Sequence, residues 1–106
     1  MIFAADTESV NGVNDYWEYQ MPICAMEECA ELIKEISKIE RARDNSLNVY
    51  YGNLRREMAD VIISIAALCE RYGIDPNHVN EAIDEKLSRK YKMIKHYSEE
   101  VKKEVE

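Results

Sequence analysis

Apolar side chains recur at Ile23, Met26, Cys29, Ala30, Leu32, Ile33, Ile36 and Ile39. Their three-to-four spacing is that of a helix stripe and predicts a first long helix over residues 16–43. Pro22 falls near its start, where a first-turn proline is tolerated. Asp44, Asn45, Ser46 and Asn48, followed by Gly52-Asn53, predict a loop, with Asn53 as the N-cap of the next helix. That second helix is expected over residues 54–72 and carries MADVIISIAALC, in which only Asp60 and Ser64 are polar. A helix apolar on nearly every side is expected to be central and buried. Gly73 supplies its stop, and Asp75-Pro76 is a strong start for a third helix from residue 76 to at least residue 97. Val79, Ile83, Leu87, Tyr91 and Ile94 form its stripe. Residues 1–15, with the turn signal Asn11-Gly12, predict a lead-in arm, and residues 98–106 a charged tail. No repeat and no strand-like alternation occurs. The expected fold is all-α, a helical bundle of three main helices plus short extra turns, in one domain over residues 1–106. Three such helices leave apolar faces uncovered, which predicts completion by oligomerisation.

The chain has 106 residues, 14 Lys+Arg against 21 Asp+Glu and a net charge of −7. One domain is the size this length supports. The acid surplus argues against a nucleic-acid partner, because phosphate contacts need surplus Lys and Arg. Cys24, Cys29 and Cys69 match no metal spacing, and Cys29 and Cys69 read as small core hydrophobes. The segment MIFAADTESV has no basic region before an apolar one, so no signal peptide is expected. The apolar run from Val61 to Cys69 is too short to span a bilayer. A reducing cytoplasm is the expected location.

The charge is not evenly informative. Glu28, Glu31 and Glu35 fall within about 60° of one another on the first helix. Taken alone they read as a solvated face balanced by Lys34 and Lys38. Glu57 and Asp60 share one side of the second helix, in a narrow polar line extended by Ser64 and Arg71. Burying Asp60 there requires a partner: an arginine (Arg55, Arg56 or Arg71) or a cation. If the two helices run antiparallel, the two carboxylate pairs can face each other. Four such groups repel unless divalent cations neutralise them, and an all-oxygen set favours Mg²⁺ or Mn²⁺. Lys86 and Arg89 flank the stripe of the third helix, and Lys90 lies nearer its middle. They read either as surface partners of Glu81, Asp84 and Glu85 or as phosphate grips.

Glu27-Glu28-Cys29-Ala30-Glu31-Leu32, then 24 residues, then Glu57-Met58-Ala59-Asp60-Val61, resembles the EExxE…ExxD signature of MazG-like all-α NTP pyrophosphatases. Lys86-Leu87-Ser88-Arg89 is similar to that family's downstream Lys…Arg element. The resemblance covers roughly residues 20–95. It implies Mg²⁺ ligation by Glu28, Glu31, Glu57 and Asp60, and hydrolysis of a nucleoside triphosphate between its α- and β-phosphates. Lys86 and Arg89 would hold phosphate oxygens, and Glu28 or Glu31 would take the proton of the attacking water. The family implies a homodimer or homotetramer. Its relatives that cleave phosphoribosyl-ATP rank lower, because the EExxE stretch with the Lys…Arg element reads more like the short MazG-like enzymes. For the base, Trp17 and Tyr16, with Tyr19, precede the strong part of the first-helix pattern and can stack on a ring. Tyr50 and Tyr51 are further candidates, and Asn14 and Gln20 could give polar readout. Packing on the core or an interface is the alternative for these rings. A different class, an acidic helical interaction module without activity, accounts for the charge but not for Asp60. A di-iron bundle needs Glu three before His, and Asp75 and Met93 precede His78 and His96 instead.

Overall fold

The structure is a computed structural model that describes residues 7–17 and 20–105. Four helices follow in order: α1 (Thr7–Trp17), α2 (Met21–Asp44), α3 (Gly52–Tyr72) and α4 (Pro76–Val105). No strand occurs among the described residues, so the all-α expectation holds. The chain divides into two compact units, one containing α1 to α3 and one containing α4.

The helix ends follow from local chemistry. Pro22 sits in the first turn of α2. At the far end Ser46 takes a left-handed φ of 55°. The backbone N–H of Leu47 then donates to the Ala42 carbonyl at 2.8 Å, closing the last turn. Asn53 is not the N-cap of α3. The helix begins at Gly52, capped by Tyr51, and Asn53 accepts a hydrogen bond from Arg56 at 3.2 Å instead. Gly52 is buried, and a Cβ there would overlap the Tyr50 ring. Gly73 ends α3 with a φ of 66°, as its type predicts. Asp75 caps α4: its Oδ1 accepts from the backbone N–H of Asn77 at 2.9 Å. The charged tail continues this helix to Val105.

The expected lead-in arm is helical from Thr7, and Asn11-Gly12 lies inside α1 rather than in a turn. Val10 and Val13, three apart, bring α1 onto the core. The Asn14 side-chain N–H also donates to the Ala67 carbonyl of α3 at 2.9 Å. Asn14 therefore ties two helices together.

α3 is the central helix of its unit, packed against both α1 and α2. Ser64, Ala67 and Cys69 are buried, but Met58, Ile63 and Ile65 are exposed, so α3 is not enclosed on all sides. α2 differs from its expected stripe. Met21, Ala25 and Ile39 are buried, and Glu28, Leu32 and Glu35 between them are half-buried. These six positions recur every three or four residues and share one face. Met26, Cys29, Ala30 and Ile33 are exposed on another face. Cys29 is thus a surface thiol, whereas Cys69 is a core residue as expected. The inward stripe of α2 contains two glutamates, and that register builds the site.

Candidate metal centre

Glu28 comes from the inward stripe of α2, and Glu57 and Asp60 come from consecutive turns of α3. Each can offer a carboxylate oxygen such that the three atoms lie within 4.8 Å of one another. Glu28 and Glu57 are half-buried. One oxygen of Glu57, Oε2, is buried with no hydrogen-bond partner. The arginine alternative fails. Among the described residues neither Glu57 nor Asp60 forms an ion pair. Arg56 is occupied by Asn53, and Arg71 lines a separate hollow with Asn11, Asn14, Asp15 and Glu70.

The electrostatics carry the mark of this crowding. Burial holds the Glu28 carboxyl above its ordinary range, and the negative charges of Asp60, Glu57, Glu31 and Glu27 raise it further. Glu31 lies one turn along α2 from Glu28, is exposed, and stands outside the trio. Glu35 is engaged by Lys38 at 3.3 Å, the local pairing expected of a helix face.

A cleft of about 600 Å³ opens beside the trio. Glu27, Glu28 and Asp60 line it, with Gln20, Cys24 and Ser64. Residues 25–104 match the MazG-like family.

The chain belongs to the MazG-like family.

A curated relative is 35% identical over 72 residues, which is 63% of this chain. It is the 2-oxoglutarate and iron-dependent oxygenase domain-containing protein 2 of Xenopus tropicalis. The chain spans 20% of that protein's length. No solved structure matches. Membership in the MazG-like family suggests a hydrolase of the pyrophosphatase type, in a family that is typically metal-dependent.

The remaining candidates of this MazG-like chain are distributed more widely. Lys86 and Arg89 belong to α4, in the second unit, and both are exposed. Arg89 pairs there with Glu85, one turn away. Tyr16, on the last turn of α1, is 80% exposed. Trp17 ends α1, its side chain outside what the structure describes, and Tyr19 lies outside the described residues altogether. Tyr50 lines a smaller hollow with Glu35 and Lys38, and the Asn14 side-chain N–H is engaged by Ala67 while its Oδ1 is buried without a partner. Gln20 does reach the cleft beside the trio. Sequence reasoning assigned no function to Cys24 and Ser64, which also line that cleft. The signal was spacing: Cys24 is one turn before Glu28, and Ser64 one turn after Asp60.

Proposed function

We propose that this MazG-like protein hydrolyses nucleoside triphosphates to the monophosphate and pyrophosphate, with Mg²⁺ or Mn²⁺ as cofactor. The observation that carries the reading is the trio Glu28, Glu57 and Asp60, with a buried Glu57 oxygen that nothing satisfies. Three converging carboxylates with no basic partner fit a hard divalent cation, and the absence of His or Cys from the set favours Mg²⁺ or Mn²⁺ over zinc. When bound, such an ion neutralises phosphate charge, orients the triphosphate and lowers the pKa of water.

Glu28, Glu57 and Asp60 hold the cation, with Glu31 as the fourth carboxylate. Glu31 is the group outside the trio, so its carboxylate is the first choice to accept the proton of the attacking water, with Glu28 second. The water oxygen bonds to the α-phosphorus, and the bond to the bridging oxygen of pyrophosphate breaks. Lys86 and Arg89 are assigned to phosphate oxygens by the family resemblance alone. Tyr16 and Trp17 are assigned to the base. The physiological setting is cytoplasmic nucleotide-pool cleaning by a homodimer or homotetramer.

A panel of ribo- and deoxyribonucleoside triphosphates, each with Mg²⁺, tests the reading by pyrophosphate release against orthophosphate release. Pyrophosphate from at least one base is the expected result. A folded chain that releases none across the panel overturns it and leaves the acidic interaction module in its place.

A further inference from the structure

We propose that Ser64 is the specificity-determining residue of the cleft beside the carboxylate trio, and that its hydroxyl reads a polar edge of the nucleobase. The inference rests on the hydrolase reading above.

The cleft is walled by Val13, Met21, Ile23, Cys24 and Ile63. Such walls suit a flat, largely apolar ring. Ser64 is 5% exposed and lines the same cleft. Its hydroxyl makes no hydrogen bond to the described residues, and it is not among the enclosed atoms left without a partner, so it opens on the cleft. A mid-helix serine ordinarily bonds the carbonyl one turn back. A hydroxyl that the protein leaves unbonded and open to the cleft is available to a ligand. A ligand edge in the cleft can donate to this hydroxyl or accept from it.

Position agrees with chemistry. Ser64 stands one turn of α3 beyond Asp60, about 6 Å along the helix axis. A ligand whose phosphates engage the trio therefore extends its nucleoside end along α3 toward Ser64. Gln20, on the same cleft, offers a second polar contact. Specificity of this kind is strong because the competing base leaves a buried group unpaired, rather than merely fitting less well.

The experiment compares the unaltered chain with Ser64→Ala in three measurements. First, kcat/KM is taken across the triphosphate panel. Ser64→Ala is expected to lower it about tenfold for the preferred base, mainly through KM, and to leave poorer bases unchanged. Second, the melting temperature is taken without ligand, and Ser64→Ala is expected not to lower it. Third, alkylation of Cys24 is followed in a Cys29→Ser background, which removes the exposed thiol. The preferred nucleotide with Mg²⁺ should protect Cys24, and Ser64→Ala should weaken that protection.

An equal loss for every base, a loss that follows the 2′-hydroxyl instead of the base, or a lowered melting temperature in Ser64→Ala overturns the proposal. If no nucleotide yields pyrophosphate, the hydrolase reading fails separately. Cys24 protection then decides on binding alone, and its absence overturns the assignment of the cleft.

Discussion

Glu28 is at odds with its surroundings. It lies in the inward stripe of α2, and burial together with four acidic neighbours raises its pKa. A raised carboxylate binds its proton more tightly folded than unfolded. Stability therefore falls as pH rises from the unfolded pKa through the folded one, and the full penalty is present above both. Glu28→Gln removes that penalty. Without divalent cations the variant should melt above the parent at pH 7, with the gap closing as pH falls below the ordinary carboxylate range. Added Mg²⁺ should reverse the order, because only the parent keeps the full ligand set. Thermal melts at two pH values, with and without Mg²⁺, check this; an unchanged order with Mg²⁺ contradicts the metal assignment. The α3 pair makes a second prediction. Asp60→Asn and Glu57→Gln should each cost more than the ~10–100-fold typical of losing an outer partner of a metal ligand, with helical circular dichroism retained. Full activity in both variants would exclude them as ligands. The trio was legible in the sequence because Asp60 interrupts an apolar run. The isolation of Ser64 was not, because a serine in a helix ordinarily satisfies itself locally and only the fold shows that this one does not.

Helix ends, which keep these carboxylates in register, were legible wherever one residue type determines the geometry. Gly73 and Asp75-Pro76 were placed correctly because a left-handed residue and an N-cap followed by proline leave few alternatives. Ser46 was expected only as part of a loop, although it occupies a left-handed position that glycine fills more easily. The two sites predict opposite signs. Ser46→Gly should stabilise by roughly 0.5–1 kcal/mol, the left-handed strain relieved less the added chain entropy. Gly73→Ala should destabilise by about 1 kcal/mol through the same strain. Urea denaturation midpoints resolve both, and equal signs would refute the assignment. α1 was misread for a physical reason. Asn11-Gly12 is a turn signal in isolation, but Val10 and Val13 bury against α3 and Asn14 bonds the Ala67 carbonyl. Tertiary contact overrides local preference there. α2 was misread in part: Met26, Cys29, Ala30 and Ile33 of its expected stripe form an outer face, while the inner face carries Glu28 and Glu35 among Met21, Ala25, Leu32 and Ile39.

The division of α2 into two faces bears on the state of the whole molecule. Met26 and Ile33 are 64% and 67% exposed, with Cys29 and Ala30 between them. On α4, Leu87 and Ile94 are each 60% exposed. The buried apolar set among the described residues is small by comparison: Val10, Met21, Ala25, Ile39, Ala67 and Cys69. A core of that size supplies little stability by itself. A stripe of Met and Ile facing water costs the hydrophobic energy that another surface would recover. A second copy carries the same stripe, and a two-fold contact is self-complementary. If association covers it, folding and assembly are linked. The melting temperature should then rise with protein concentration, a tenfold increase adding about 1.4 kcal/mol for a dimer. Met26→Lys with Ile33→Lys should lower the mass by light scattering to that of one chain and abolish the concentration dependence. Neither substitution touches the inward stripe, so helical content and Mg²⁺ binding at the trio should survive. A parent chain that is already monomeric, with a concentration-independent melt, would show that the outward stripe has no second copy as its cover.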